Sequence, residues 1–361
     1  MKKIIGVVTF HRSLNYGAVL QTYGLVKAIE SEGYEVNVVD YRNDQLENRD
    51  SYKRFFKTKG LFRIIYQYLD LPFWIIRRNK FDAFLSNIVS GKRYTEIGSE
   101  ADRDYDSFMV GSDQVWNYKI TNSDENFFLN KITNNIKKNS YAASFGISKI
   151  PKDKNEYYQK GLNNFNCISV REDTGAIIVE KYKQYKPEVV LDPSLLLNKE
   201  EWISVSDKSK LKYDYILIYQ RAYSKTLIDF AKRISEENEC KIITINGNPR
   251  QKVNGKNIID AGPEEWLSLM NNAKYIVTNS FHGVAFSINL NKEFFVELLD
   301  EKFGVNSRLD NIIKLFNLED RLIKNNLKKN LDKIDYLKVN EILEKNRIQS
   351  KKYIRNTLRG L

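Results

Sequence analysis

Thr278-Asn279-Ser280-Phe281-His282-Gly283-Val284-Ala285-Phe286-Ser287 is the stretch on which the reading of this chain turns. Before it, Tyr275-Ile276-Val277 reads as a buried strand. After it, the apolar segment from Val284 to Leu290 reads as a helix. The polar turn between them carries His282, one of two histidines in 361 residues. In an open α/β sheet, ligands bind beyond the C-terminal ends of the strands. A helix starting near Val284 would aim the amides of Gly283, Val284 and Ala285 at that point, which suits an anion. His282 then has two readings: a proton donor to a substrate held by its phosphate, or a cap bonded to a backbone carbonyl.

The same strand-loop-helix grammar extends in both directions. Residues 4–10 read as a strand, followed by the polar loop His11-Arg12-Ser13-Leu14-Asn15-Tyr16-Gly17. A helix follows from about Ala18, with Leu20, Tyr23, Val26 and Ile29 near helical spacing and Gly33 at its end; 35–39 is the next strand. The loop lacks the GxGxxG pattern of dinucleotide sites, and Asn15 and Gly17 suit a tight turn. Strands at 108–110, 139–142 and 167–170 each run into a polar cluster: Gly111-Ser112-Asp113-Gln114-Val115-Trp116-Asn117, Ser144-Phe145-Gly146 and Arg171-Glu172. Several such clusters in one domain imply a shared rim. The turn Asp192-Pro193 reads as a boundary, and beyond it alternation resumes with strands at 215–219, 241–245 and 293–298 and helices at 225–235 and 263–271. The expected fold class is α/β, with two Rossmann-like doubly wound domains facing across a cleft: 1–192, 193–323, then a mixed-charge helical tail, 324–361.

Residues 44–100 interrupt the first domain. Between Ser51 and Lys80 stand eight Lys or Arg and a single acid, Asp70, interleaved with Phe55, Phe56, Phe62, Tyr66, Tyr68, Phe73 and Trp74. Such a helical insert either packs amphipathically on the domain or meets an anionic surface. The whole chain carries a formal net charge of +12, which favours anionic partners. Cys167 and Cys240 lie far apart and, without CxxC or histidine clusters, read as core residues of a reducing compartment rather than metal ligands. No apolar run is long enough to cross a bilayer, and the N-terminus enters a strand directly. The expectation is a cytoplasmic protein, with contact between the insert and the inner membrane face as the alternative to packing.

Taken in order, several pieces resemble the bacterial polysaccharide pyruvyl transferases: Asn15-Tyr16-Gly17-Ala18-Val19-Leu20-Gln21, Gly111 to Asn117, Ser144-Phe145-Gly146, Ser169-Val170-Arg171-Glu172, Leu191-Asp192-Pro193-Ser194-Leu195-Leu196, Ser280-Phe281-His282-Gly283 and Ser307-Arg308. The resemblance implies a glycosyltransferase-B-like pair of domains, acceptor side first and donor side second. It also implies transfer of a pyruvyl group from phosphoenolpyruvate to a diol of a cell-surface saccharide, which is lipid-linked in the membrane-facing reading, with a cyclic ketal and phosphate as products. It places the donor at His282, with its neighbours Ser280, Phe281 and Gly283, at Arg171 and at Arg308. Residue type suits Gln114, Trp116 and Asn117 to sugar hydroxyls and ring stacking, and Asn15 and Tyr16 complete the expected acceptor side. Some relatives carry an arginine where Ser280 stands; Arg308 and Arg221 are the candidate replacements. His282 would supply or relay protons, and Asp113 would act as base on an acceptor hydroxyl or else cap a turn. Trp116 suits either ring stacking or the core. No metal or further cofactor and no nucleic-acid partner is expected. Two rivals remain: a nucleotide-sugar glycosyltransferase on the same fold, and a non-enzymatic protein binding anionic surfaces.

Overall fold

The computed structural model describes residues 2–43, 61–245, 255–299, 306–325 and 332–359. Part of the basic insert, 44–60, thus lies outside the described residues, and for 61–67 only the backbone is described. The chain divides into two compact units. One comprises 2–43, Leu85–Leu197 and the C-terminal stretch from Lys345; the other comprises Asn198–Glu344 and, from the insert, 61–84.

In the first unit β1 (Ile4–Val8), β2 (Glu35–Tyr41), β3 (Val89–Tyr94), β4 (Ser107–Val110) and β5 (Lys138–Ser140) form a parallel sheet in the order β3-β2-β1-β4-β5. This is a doubly wound order, which reverses between β1 and β4. Ile5, Val7, Phe108, Met109 and Val110 are all buried, as a parallel sheet covered on both faces requires. The pair β6 (Ser169–Val170) and β7 (Glu188–Val189) continues it through the bridges Asn139–Cys167 and Ala143–Val170. β3 lies in the stretch expected to be a helical insert. Its sequence, Val-Ser-Gly-Lys-Arg-Tyr, is mostly exposed and polar, so it lacked the apolar alternation of a strand.

In the second unit β8 (Tyr215–Tyr219), β9 (Lys241–Ile245), β10 (Lys256–Ile258), β11 (Tyr275–Thr278) and β12 (Glu293–Val296) repeat the plan in the order β10-β9-β8-β11-β12, all parallel. Here the order reverses between β8 and β11. The helix Phe281–Asn289 that follows β11 is fixed through Phe286, whose ring meets Trp202 at 5.0 Å and Trp266 at 5.1 Å, both edge to face. Contacts of this kind are worth about 0.5–1.5 kcal/mol each beyond the area they bury.

Two helices make the partition differ from a linear one. Within the helix Leu61–Leu85, Lys80 Nζ lies 2.7 Å from both carboxylate oxygens of Glu265, and a Cβ on Gly262 would come within 2.7 Å of Lys80 Cβ. That close approach, which only glycine permits, binds most of the helix to the second unit. At the C-terminus the helix Tyr336–Leu358 returns to the first unit. There Arg347 Nε donates to Leu195 O (2.9 Å), Ser350 Oγ accepts from Leu191 N (3.0 Å) and Tyr353 Oη donates to Ser140 O (3.0 Å).

Candidate active site

Each sheet has a point where strand order reverses, and two of the residues singled out in the sequence, Asp113 and His282, follow strands that flank these points, β4 and β11. In the first unit Gln21, fully buried in the helix Tyr16–Glu30, joins the loops after β1 and β4. Its Nε2 donates to Thr9 Oγ1 (3.1 Å) and its Oε1 accepts from Ser112 N (3.3 Å), while Thr9 Oγ1 donates to Ser112 O (2.9 Å). The polar pair Gln21-Thr22 amid the apolar positions of that helix is the sequence signal that could have found this latch.

Beyond β4, Asp113 has φ of 71° and accepts from the Gln114 amide at 2.8 Å, so it shapes a turn. Its Oδ1 also lies 3.6 Å from Arg171 Nη2. Arg171, 6% exposed, donates to Asp192 Oδ2 at 2.7 Å and approaches Glu172 at 3.7 Å. Burial works against its charge, but Asp192, Asp113 and Glu172 outweigh it and hold the guanidinium above its ordinary pKa. The surrounding bonds are dense: Ser112 Oγ donates to Asp192 (3.0 Å), the Ser194 amide to Asp192 (3.0 Å), and Ser144 Oγ to Glu172 (2.7 Å). Four separate motif segments thus meet in one buried polar network. Asp192, Glu172 and Ser112 were not singled out as site residues from sequence.

The expected acceptor residues divide. Asn15 caps the helix Tyr16–Glu30 by accepting from Gly17 N at 3.1 Å and stays half-buried. Asn117 caps Tyr118–Thr121, and its Nδ2 donates to Gln114 Oε1 at 3.0 Å. Two residues do not fit the expectation. Trp116 is fully buried, its Nε1 donating to Phe127 O (3.0 Å) and its ring packed on Phe128, Phe145 and Phe165. Tyr16 is also interior, at 3% exposure. Apolar contact claimed both rings for the core, so neither offers a face to a sugar.

The ends of β1 and β2 carry a second cluster that sequence reasoning passed over. His11 places Nδ1 3.1 Å from Thr9 O and Nε2 3.1 Å from Asp40 Oδ1. Arg12 grips Asp40 through Nε (3.0 Å) and Nη2 (2.8 Å), and Arg42 Nε lies 3.0 Å from it. Burial would raise the Asp40 carboxyl, yet the His11 and Arg12 bonds outweigh burial and hold it far below the usual range.

In the second unit Asn279 spans the reversal point. Its Oδ1 accepts from Arg221 N (2.6 Å) and its Nδ2 donates to Ala222 O (2.8 Å), fixing the loop after β8. Ser224 Oγ, in that loop, donates to Glu297 Oε1 (2.8 Å) at the end of β12. The helix after β11 begins at Phe281, a turn earlier than the apolar pattern implied, because Ser280 caps it. His282 therefore sits inside the first turn, 6% exposed, with its ring edge-on to Phe281 at 5.3 Å.

This corrects the anion seat expected at residues 283–285. Gly283 N donates to Ser280 Oγ (3.4 Å) and Val284 N to Ser280 O (3.0 Å). Gly283 is needed for another reason: a Cβ there would lie 2.3 Å from Thr278 Oγ1. Phe281 and His282 make up the first turn after the Ser280 cap. Burial raises the Tyr219 hydroxyl pKa, against the opposing influence of Arg221, Arg77 and a bond to Ser280. Arg308 is buried in the helix Asn306–Leu315, and Arg221 is exposed. Asp113 and Arg171 belong to the first unit; Arg221, Ser280, His282 and Arg308 belong to the second. Among the described residues no group of three or more His, Cys, Asp or Glu could hold a metal ion.

Comparison with known families matches residues 15–297 to Polysaccharide pyruvyl transferase. The chain belongs to the polysaccharide pyruvyl transferase family. That match runs from the Asn15 cap to Glu297, so it includes the Arg171 and Asn279 networks, whereas Thr9, His11 and Arg12 precede it. Membership makes the chain one of a family of transferases for polysaccharides. No curated protein matches the chain. Among solved structures it is similar to the UDP-GlcNAc 2-epimerase of Methanocaldococcus jannaschii, at 13% identity and a TM-score of 0.49, covering 95% of this chain and 92% of that one. An alpha-glucosyltransferase in complex with UDP and DNA gives 9% identity and a TM-score of 0.49, covering 98% and 95%.

Proposed function

We propose that this family member transfers a pyruvyl group from phosphoenolpyruvate to a saccharide diol, with the donor at the second unit's reversal point. The observation that carries the reading is the family match across that point, with His282 in the first turn of a helix beside Ser280 and the loop carrying Arg221. Phosphoenolpyruvate brings a phosphate and a carboxylate, so cations and helix-end amides suit it better than an apolar pocket. Arg221 and the first turn at Phe281 and His282 are the groups we assign to these anions.

The chemistry runs in two steps. A proton, supplied or relayed by His282, adds to the methylene carbon of the donor and leaves an oxocarbenium-like centre at C2. A first sugar hydroxyl bonds to C2 and gives up its proton, for which Asp113 is the assigned base in the acceptor-side unit. The second hydroxyl then bonds to C2, the C2–O bond to phosphate breaks, and its proton leaves with inorganic phosphate. The products are one cyclic ketal and one phosphate. Gln114 and Asn15 supply amide groups of the kind that bind sugar hydroxyls, while Asn117, buried and bonded through both ends of its amide, holds Gln114. Arg171, already surrounded by three carboxylates, holds Asp113 in place rather than meeting the donor.

Phosphate release from phosphoenolpyruvate, dependent on a saccharide acceptor, tests the reading. His282→Gln should keep its melting temperature and lose about two to four orders of magnitude in kcat, as proton-transfer groups do. A well-folded His282→Gln variant with near-normal turnover would remove His282 from the chemistry. A melting shift with UDP-sugars but none with phosphoenolpyruvate would replace the reading by a nucleotide-sugar one.

A further inference from the structure

Among the described residues, the helix Leu61–Leu85 carries an apolar face that is left exposed. Tyr68 is 60% exposed, Leu69 62%, Phe73 43%, Ile75 44% and Ile76 42%. At 3.6 residues per turn these five, with the exposed Pro72, fall on one arc of about 160°. The opposite arc is the one that packs: Phe81, Phe84 and Leu85 are buried, and Trp74, Arg77 and Arg78 half-buried. The helix is therefore apolar on both sides but attached on one. Isolated exposed apolar residues are ordinary, whereas a contiguous row of six positions marks a docking surface.

Charge and residue type select the occupant. The stretch 51–80 holds eight Lys or Arg against Asp70 alone, and the chain carries +12 overall. A large aromatic and aliphatic face within a stretch of strong positive sequence bias is the composition of a helix that lies in the headgroup region of an anionic bilayer. No described helix is long and apolar enough to cross a membrane, so the contact would lie in the surface plane. We propose that the exposed face of Leu61–Leu85 docks this protein on an anionic lipid bilayer, with Leu69, Phe73 and Ile76 entering the acyl boundary.

The test is flotation of the full chain with vesicles of phosphatidylglycerol and phosphatidylcholine, against phosphatidylcholine alone. The wild type should float with the anionic vesicles, and raising the salt should weaken this. The triple variant Leu69→Ser, Phe73→Ser, Ile76→Ser should lose at least tenfold in vesicle partitioning while its melting temperature holds, since all three side chains are already in solvent. Failure of the wild type to float overturns the proposal, as does equal flotation of the triple variant or equal binding to neutral vesicles. Concentration-dependent self-association that the triple variant abolishes, without vesicle binding, would assign the face to a second copy instead. The readout needs no turnover, so it stands or falls separately from the donor assignment.

Discussion

Arg171 holds a buried positive charge among Asp113, Glu172 and Asp192, and its removal would leave three acids crowded at the rim of the first sheet. Breaking a buried pair from one side typically costs about 3–5 kcal/mol. We expect Arg171→Met to lose stability on that scale in urea denaturation, and Arg171→Lys to lose less because it keeps the charge without the fork. If Arg171 positions Asp113, the lysine variant lowers kcat and leaves KM for phosphoenolpyruvate within about twofold, well under the 1.4 kcal/mol of a tenfold change. A raised KM with intact stability would return Arg171 to the donor. Asp40 gives a pH test. Its folded pKa is depressed, so its stabilising contribution is present above the unfolded value of about 4 and is lost as pH falls through the lower folded value. The melting-temperature gap between wild type and Asp40→Asn should be wide at pH 7 and narrow steadily below pH 4. A gap unchanged down to pH 2 would contradict the depressed carboxyl.

At the scale of elements, the strand-loop-helix unit around Asn279 joins fold to function. Gly283→Ala would push a methyl into Thr278 Oγ1, which bonds both Ser280 N and Tyr219 O, and overpacking of this kind costs about 1–3 kcal/mol. Asn279→Ala should cost less stability yet release the loop 220–224, raising KM for phosphoenolpyruvate about tenfold, or 1.4 kcal/mol. Unchanged donor affinity in a folded Asn279→Ala variant would detach that loop from the donor. The same unit shows what a sequence can reveal. The buried strand was legible at 275–277, one residue short of its end at Thr278, and His282 stood out as a rare residue type, because apolar runs and rare residues are local signals. The helix start was misplaced by a turn, because Ser280 caps with a side chain while Phe281 and His282 do not continue the apolar pattern. Trp116 was legible as an aromatic suited to ring stacking or to the core, and the packing of Phe128, Phe145 and Phe165 around it decides for the core. The His11–Asp40 pair joins residues 29 apart and had no local signature at all.

For the whole molecule, the C-terminal segment is the point where chain order and unit membership part. Residues from Lys345 count with the first unit, although that unit otherwise ends at Leu197. Ile354 and Leu358 are fully buried there, and Tyr353 nearly so, with its hydroxyl bonded to Ser140 O in β5. Burying such side chains is worth about 1.5–3 kcal/mol each. With the Arg347 and Ser350 bonds added, the segment contributes an amount comparable to the about 5–15 kcal/mol that holds a typical domain folded. A chain ending at Glu344 should therefore lose amide-exchange protection in β1, β4 and β5 while β8 and β11 of the second unit keep theirs. Tyr353→Ala in the full chain should fall between, with a loss of about 3–5 kcal/mol confined to the first unit. Equal protection of β4 and β5 in the shortened and full chains would mean that the first sheet stands without its C-terminal helix. The buried faces of Ile354 and Leu358 would then be a consequence of folding rather than a support for it.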